Sequence, residues 1–357
     1  MQLTVGLDRS DKPAGIDEFM ALGVDEFFAG FVPGEWSERF GWEVGLNRRT
    51  FGGGCQFTDI DELREAIQTV HAGGKRILIT LNGHDYGHER LPMVREVVQA
   101  LEGLGHDGYV VADPALMGYL REWGVDSLFH LSTGGGAFNS ETIRFYHERF
   151  GLRRVVIPRK MTLREMRILM ERVADLDLEF EVMVIGYRCH FNDEFCFSLH
   201  CGTGNNLCTE HVSTPKQLRG RFPGDWKDII EEAIDYPAEQ FSEGSRLDEF
   251  SRALEAVAPP ERLPPESPQE GQHSVLPLTM FNNCGLCAIP ALREMGVHTL
   301  KIPVRGAPWQ KRYYLEVVRA VANQPGATAA DCRALVNSAG FCALPEACYY
   351  HLADQEN

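Results

Sequence analysis

Short strand-like segments alternate with helical segments along this chain, and that alternation limits the folds it can adopt. Several strand segments, such as RILITLN and VMVIG, are continuous apolar runs, which are typical of parallel strands covered on both faces. The pattern predicts an α/β fold of the (β/α)8 type, a TIM-like barrel, with a doubly wound open sheet as the alternative. The predicted strands are Gln2–Leu7, Asp25–Gly30, Arg76–Asn82, Gly108–Asp113, Ser127–Ser132, Arg153–Pro158, Glu179–Gly186 and His298–Pro303.

Helix-start signals support this alternation. Thr58 with Asp61, and Thr162 with Glu165, have the spacing of a capping box. Asp113 precedes Pro114, which predicts an N-cap followed by proline at the first helical position. No GxGxxG motif opens a helix after a strand, which argues against the nucleotide-binding form of the open sheet.

The alternation is interrupted between the seventh and eighth predicted strands. We expect one barrel domain over residues 1–323, with a cysteine-rich loop at 187–210 and a proline-rich linker at 258–277 inside that interruption. Two helices are predicted between them, Trp226–Ala233 and Leu247–Ala256. Residues 324–357 form a cysteine-bearing appendix.

Charge and hydropathy narrow the classes of partner. The chain carries 35 basic and 51 acidic residues, a formal net charge of −16, which makes nucleic acid an unlikely partner. No apolar run approaches the ~18 residues of a membrane helix, so no transmembrane segment is expected. The first residues lack the basic start and apolar stretch of a secretory signal, which predicts a cytoplasmic protein.

Active groups of such barrels lie where the strands end, at the carboxyl face. His130, in the fifth strand, is a candidate catalytic residue, although a buried core histidine is an equally good interpretation. Asp113 is interpreted as an N-cap only. Arginine forks suit carboxylates, so basic residues near strand ends are candidates for substrate binding, while loop arginines can also be simple solvated charges. These basic residues are Arg48, Arg49, Arg159, Lys160 and Arg305, the last also a catalytic candidate.

The cysteines are unevenly placed. Only ten of 357 residues are cysteine, far below the ~8–10% of a disulfide scaffold. Four of them lie in one polar segment, CHFNDEFCFSLHCGTGNNLC, and Cys284 lies before the last strand. Thiolates gathered in this way bind zinc or an iron–sulfur cluster. For Cys287, Cys332, Cys342 and Cys348, a second metal, a redox role and simple packing all remain open.

The loop CHFNDEFC, the later cysteine after GNNL, and the segment NNCGLCAIPALREMGVHTLKIPVRG resemble the peptidase U32 family, also called collagenase-like peptidases. The βα units FTDIDELREAIQTVHAGGKRILITLN, LFHLSTGGGAFNSETIRFY and RRVVIPRKMTLREM agree with that resemblance, which covers roughly residues 1–320. Three features depart from the family pattern: Pro303 replaces a glutamate, TEHVSTPK stands where a CR pair usually follows the third cysteine, and several cysteines are extra.

The resemblance implies a cofactor and a reaction. Family members carry a 4Fe-4S cluster and support oxygen-independent hydroxylation, the short ones in ubiquinone biosynthesis and longer ones on RNA bases, with prephenate as a linked oxygen donor. Carried over to this sequence, the cluster ligands are Cys189, Cys196, Cys208 and Cys284, with Cys201 as the alternative to Cys208. Because a long C-terminal extension is absent and the charge is negative, a small-molecule or lipid-like substrate is expected.

Three functions are therefore compatible with the sequence. The first is an iron–sulfur enzyme, or enzyme subunit, for oxygen-independent hydroxylation. The second is a metal-dependent hydrolase, as the family name suggests, although no HExxH or GxSxG motif is present. The third is a non-catalytic iron–sulfur partner subunit, since short family members work in pairs.

Overall fold

Eight parallel strands in the described part of the chain close into a barrel. The computed structural model describes residues 1–41, 45–48, 56–84, 86–186, 192–195, 283–304, 308–324, 326–336 and 348–350. The strands are β1 (Gln2–Leu7), β2 (Glu26–Gly30), β3 (Arg76–Leu81), β4 (Gly108–Val111), β5 (Leu128–Leu131), β6 (Leu152–Val156), β7 (Glu179–Met183), β8 (Ile185–Gly186), β9 (Asn283–Cys284) and β10 (Thr299–Ile302).

The barrel order is β1-β10-β7-β6-β5-β4-β3-β2. Val5 of β1 lies opposite Phe27 of β2 on one side and Ile302 of β10 on the other, so the first strand joins the last and no edge is left open. This closure confirms the (β/α)8 prediction and excludes the open sheet. Strands β8 and β9 form a separate antiparallel pair.

Helices follow most barrel strands and cover the outside of the barrel. Their bounds are α1 (Pro13–Ala21), α2 (Gly34–Phe40), α3 (Ile60–Ala72), α4 (Leu91–Glu102), α5 (Pro114–Glu122), α6 (Ser140–Phe150), α7 (Leu163–Arg172), α8 (Ile289–Glu294), α9 (Pro308–Ala322) and α10 (Ala329–Val336). Buried apolar side chains between strands and helices, such as Val5, Phe27 and Leu63, form the main core. In the described ranges, no helix combines the length and the apolar character needed to cross a bilayer.

Two of the three predicted helix caps are confirmed. The Asp113 carboxylate accepts from the backbone N–H of Leu116 at 2.8 Å, and Thr162 forms the full capping box with Glu165. The capping box at Thr58 is wrong. Asp59, one residue later, is the N-cap, because its carboxylate reaches the backbone N–H groups of Asp61 and Glu62 at 2.7 and 3.2 Å.

The seventh predicted strand is divided at Val184. β7 stays in the barrel, whereas β8 leaves it and pairs with β9, which places Cys284 opposite Ile185. The remainder of the interruption lies outside the described residues, apart from 192–195. That excluded part contains most of the loop 187–210, the linker 258–277 and the two predicted helices Trp226–Ala233 and Leu247–Ala256.

The last barrel helix is tied to the first strand by a buried charge cluster. Lys311 of α9 donates to Asp8 at 2.8 Å and also to Asp11, and the Lys311 and Asp8 side chains are fully buried. Burial, opposed by the Lys311 charge, raises the pKa of Asp11 to about 6. This contact fixes the start of the chain against its last barrel unit.

Candidate functional site

Two arginines meet one aspartate at the carboxyl ends of the strands. Arg48 donates from Nη1 to the Asp193 carboxylate at 3.2 Å and to the Asp193 backbone oxygen at 2.8 Å. Arg159, which follows β6, donates from Nε to the same carboxylate at 3.0 Å and from Nη2 as well. All three side chains are at most one-tenth exposed. We call Arg48, Arg159 and Asp193 the mouth cluster.

The mouth cluster continues into the ends of β3 and β5. Asn82 accepts from the backbone N–H of Arg48 at 3.2 Å and donates to the Ser132 hydroxyl at 3.1 Å. Ser132 in turn accepts from the backbone N–H of Gly134 at 3.4 Å. Hydrogen bonds therefore connect three different βα units around one opening.

His84 and Asp113 lie beside the mouth cluster. The Nδ1 atom of His84 is 3.7 Å from Asp113 Oδ2, while Asp113 Oδ1 caps α5. The Nε2 atom of His84 is buried and has no hydrogen-bond partner among the described atoms. A Cβ atom at Gly134 would lie 3.3 Å from that Nε2 and 3.7 Å from Arg48 Nη1, so the glycine lets its turn pack closely on both side chains. His84 and Asp113 together can hold or accept one proton at the barrel mouth.

Glycine also lets the turn that carries Asp193 pack close to the barrel. Gly136 follows the 3₁₀ turn Thr133–Gly135 and has φ +67°, a left-handed conformation that favours glycine. A Cβ atom there would collide with the Glu194 carboxylate of the neighbouring turn, Asp193–Phe195. Burial, then the charge of Asp193, raises the pKa of Glu194.

His130 lies inside the barrel, in the middle of β5 rather than at its end. It is 2% exposed. Burial, and then the charge of Arg154, lowers the pKa of His130 to about 3, so the ring is neutral near pH 7. Its Nδ1 has no hydrogen-bond partner among the residues that the structure describes.

His130 is surrounded by a network of charged strand residues. Arg154 of β6 reaches across the barrel to Glu26 of β2, at 2.5 Å, and also binds Glu181 at 3.0 Å. Lys301 of β10 donates to Glu181 at 2.6 Å. Burial opposes ionisation, but the charges of Lys301 and Arg154 lower the pKa of Glu181 to about 2. We call Glu26, His130, Arg154, Glu181 and Lys301 the interior cluster.

The interior cluster has the residue types of a metal site but not its chemistry. One possible ligand atom each of Glu26, His130 and Glu181 lies within 4.8 Å of the others. All four carboxylate oxygens already accept from cations, however, since Arg76 binds the second oxygen of Glu26 at 3.0 Å. A metal ion would have to displace three positive side chains, so the cluster is a cross-barrel salt-bridge network.

Cys284 is the predicted cluster ligand that the structure describes. Its side chain is 9% exposed, and its backbone pairs with Ile185, just before the segment that contains Cys189. Cys196 directly follows the turn Asp193–Phe195 that the mouth cluster holds. Cys189, Cys196 and Cys208 themselves lie outside the described residues.

Comparison with known proteins fits this barrel. The model of peptidase family U32 matches residues 13–331. The chain belongs to this family. A relative in Escherichia coli strain K12, tRNA hydroxylation protein P, is 24% identical over 253 residues, which are 69% of this chain and 54% of that protein. In Bacillus subtilis strain 168, tRNA hydroxylation protein P1 is 28% identical over 148 residues, 42% of this chain and 33% of that protein.

This U32 chain spans about half the length of the Escherichia coli relative that it matches. Among solved structures, the U32 peptidase Mk0906 aligns with a TM-score of 0.40 and 14% identity, over 70% of this chain and 83% of that one. The fold of the U32 chain rests on its own strand order rather than on that alignment.

The structure brings together some of the residues predicted from the sequence of this U32 chain. Arg48 and Arg159 meet at the mouth, where their described partner is Asp193, and Lys160 is exposed next to Arg159. His130 is not with them but in the interior. Arg49 and Arg305 lie outside the described residues. Substrate binding by the basic residues and catalysis by His130 and Arg305 stay predictions.

Sequence reasoning on the U32 chain missed the partners of these residues. Asp193 is one polar residue in a polar loop, with no pattern that marks it as buried. The interior cluster did leave a signal, because Glu26, Arg154, Glu181 and Lys301 interrupt apolar strands with charges. A charge in a strand that is covered on both faces predicts a buried counter-charge.

Proposed function

We propose that this U32 chain is an iron–sulfur protein that supports hydroxylation of an organic substrate without dioxygen. Family membership supports the proposal, as do the relatives whose names describe hydroxylation of tRNA. The observation that carries it is the placement of Cys284, buried and paired with the strand end that leads to Cys189.

The proposed ligands of a 4Fe-4S cluster are Cys189, Cys196, Cys208 and Cys284, with Cys201 as the alternative third ligand. The described residues fit such a group. The thiol of Cys284 is shielded from water, and Cys189 and Cys196 adjoin segments held at the same end of the barrel. When bound, the cluster supplies one-electron transfer.

The side chains at the mouth have positioning and proton-holding roles in this proposal. Asp193 lies between Cys189 and Cys196 in sequence, and its bonds to Arg48 and Arg159 hold that loop over the barrel. His84 is the proposed proton acceptor, because its Nε2 has no hydrogen-bond partner among the described residues and Asp113 lies 3.7 Å from its Nδ1.

The first substrate candidate is a small or lipid-like molecule, such as a quinone precursor, because a chain of net charge −16 is repelled by a phosphate backbone. The second is a tRNA nucleoside, which the names of the relatives favour. The two candidates differ in where the missing hydroxyl is found after deletion of the gene: in the quinone fraction or in digested tRNA.

Metal analysis of protein purified without oxygen tests the cofactor. We expect a brown protein with iron and acid-labile sulfide in equal amounts. Alanine at position 189, 196, 208 or 284 should remove the iron, whereas Cys332→Ala, a matched buried cysteine, should retain it. Colourless protein containing zinc contradicts the proposal. Iron loss in Cys201→Ala with retention in Cys208→Ala would reassign the third ligand.

Activity separates an enzyme from a partner subunit. The deletion strain is complemented with the wild-type gene or with His84→Gln, and hydroxylated product is measured in both fractions. Restored product with wild type and loss with His84→Gln, at unchanged iron content, supports catalysis at this mouth. Full product with His84→Gln would remove the proposed proton-accepting role of His84.

A further inference from the structure

Three charged side chains are enclosed between the turn after β1 and the last barrel helix, α9. Asp8 and Lys311 are fully buried, and Asp11 is 6% exposed. The Nζ atom of Lys311 donates to Asp8 Oδ2 at 2.8 Å and also to Asp11 Oδ2. Two carboxylates therefore share one ammonium group, and the three ionised side chains together carry one net negative charge. A net charge held away from water is costly, and such a group takes up a proton instead.

The hydrogen bonds of the two carboxylates indicate where that proton binds. Asp8 Oδ1 accepts from the backbone N–H of Ser10 at 3.0 Å and from its hydroxyl, while Asp8 Oδ2 accepts from Lys311. Asp11 Oδ2 accepts from the backbone N–H of Asp8 at 3.0 Å and from Lys311. Asp11 Oδ1 is buried and has no hydrogen-bond partner among the residues that the structure describes. Asp11 is therefore the carboxylate whose ionised form is less well stabilised.

Charged residues on the surrounding elements have other partners or face solvent. Glu18 of α1 pairs with Arg312 of α9. Arg9, in the turn after β1, lies 3.4 Å from Glu62 of α3. The exposed charged residues nearby in sequence are Lys12, Asp17 and Glu316.

The charges that act on the Asp11 carboxyl are thus those of Asp8 and Lys311. Burial is the largest cause and raises the pKa of Asp11 to about 6, against the opposing charge of Lys311 and together with the charge of Asp8. Phe19 of α1 adds an apolar neighbour without a charge, since the centroid of its ring is 6.0 Å from Lys311 Nζ.

We propose that Asp8, Asp11 and Lys311 form a proton-binding site that sets how tightly α9 is held against the start of the chain. One proton on Asp11 makes the enclosed group neutral. Loss of that proton leaves a net negative charge between the turn and α9, and separation of α9 from the turn gives both carboxylates access to water. The site is independent of the proposed iron–sulfur function, since it contains no proposed cluster ligand and no residue of the mouth cluster.

The direction of the response follows from the raised pKa of Asp11. An aspartate that water can reach has a pKa of about 3.9. At pH 5 the enclosed Asp11 holds its proton and gives it up when α9 separates, whereas at pH 7.5 Asp11 is ionised in both states. The attachment of α9 therefore weakens as the pH rises through about 6. With these two pKa values, the equilibrium constant for separation of α9 increases about tenfold between pH 5 and pH 7.5.

Hydrogen–deuterium exchange of the full-length protein at pH 5, 6 and 7.5 tests the site. Peptides from α9 and from residues 8–21 are followed, with the rates corrected for the intrinsic pH dependence of amide exchange. We expect the opening constant of α9 to rise about tenfold in the wild type and to stay constant in Asp11→Asn, which is uncharged at every pH. Comparison with Asp11→Asn also removes the contribution of other titrating groups such as His130.

Two further variants sharpen the test. Glu18→Gln is the matched control, because Glu18 also joins α1 to α9, through Arg312, but outside the enclosed group. It should keep the tenfold response. Asp8→Asn leaves Asp11 and Lys311 as a neutral ion pair, so its response should move to lower pH. This variant replaces Asp11→Asn if circular dichroism shows that the latter is not folded.

Two outcomes overturn the site: an opening constant of α9 that does not change with pH in the wild type, or the same pH response in the wild type and in Asp11→Asn. Iron content is measured on the same samples. A protein that lacks iron but shows the response contradicts the iron–sulfur proposal alone, and a protein that holds iron without the response contradicts the proton-binding site alone.

Discussion

The interior cluster and the mouth cluster both bury ion pairs, but they use different parts of the chain. In the interior, Arg154, Glu26 and Glu181 all come from strands, and their charges meet across the barrel axis. At the mouth, Arg159 follows a strand, but Asp193 comes from a short turn in the cysteine-bearing loop. The interior pairs can therefore stabilise the barrel itself, whereas the mouth pairs position a loop on it.

Arg154→Met gives the largest expected effect. It leaves Glu26 and Glu181 buried without their shared cation, and breaking a buried pair in this way costs about 3–5 kcal/mol. Urea unfolding followed by circular dichroism measures the loss in the free energy of unfolding.

Two controls sharpen that result. Arg144→Met removes an exposed pair with Asp175, which solvent screens, so the loss in the free energy of unfolding should be far smaller than for Arg154→Met. The double variant Glu26→Gln/Arg154→Met should recover part of the loss. Equal losses for Arg154→Met and Arg144→Met would mean that the interior pairs do not support the barrel.

Asp193→Asn is expected to cost about 2–3 kcal/mol, less than Arg154→Met. It leaves the guanidinium groups of Arg48 and Arg159 without their carboxylate, but the turn that carries residue 193 can move and admit water. The sharper readout is iron content, which we expect to fall in this variant and to be retained in Arg154→Met under native conditions. Retained iron in Asp193→Asn would remove the positioning role of Asp193.

His130 should make stability depend on pH. Its pKa is lowered to about 3 in the folded protein, against about 6.5 in the unfolded chain. Below pH 6.5 the unfolded chain therefore binds a proton that the folded barrel refuses, and stability falls as the pH falls. Between pH 7.5 and pH 5 this one group lowers the free energy of unfolding by about 2 kcal/mol.

The measurement is urea unfolding of the wild type and of His130→Gln at both pH values. In the variant, the number of protons taken up on unfolding at low pH should be smaller by about one than in the wild type. Identical slopes would show that His130 titrates in the folded protein, and thus that it is not enclosed as described.

Thr162→Ala is a reference variant, because it changes the free energy of unfolding through a local helix cap that belongs to neither cluster. It removes the capping box of α7 and should cost about 1 kcal/mol in the free energy of unfolding. Because Thr162 and Glu165 act on each other, Thr162→Ala/Glu165→Ala should cost less than the sum of the single changes. Strict additivity would mean that the reciprocal box contributes nothing.

The sequence predicted the frame of the barrel well, because each strand is a local apolar run and each confirmed cap is a local motif. Strand β1 coincides with its prediction, and the other barrel strands differ by only a few residues at their ends. The error at Thr58 is local too, since Asp59 competes for the same position.

The sites were harder to predict because their contacts are distant in sequence. Asp193 lies 145 residues from Arg48 and 34 from Arg159. The structure brings Arg48 and Arg159 together on Asp193, a partner that the sequence did not indicate, and substrate binding by these arginines stays a prediction. His130 lies in the interior, whereas Ser132, two residues further along, bonds to Asn82 at the mouth, so a small difference in depth along the strand separates the two locations.

The contact of Lys311 with Asp8 and Asp11 has a consequence for synthesis of the protein. The two carboxylates leave the ribosome about three hundred residues before the lysine that neutralises them, since Asp8 and Lys311 are 303 residues apart. A nascent chain that ends before α9 contains both carboxylates but lacks the Lys311 ammonium group that is buried with them. Completion of the barrel is thus coupled to the arrival of its final helix.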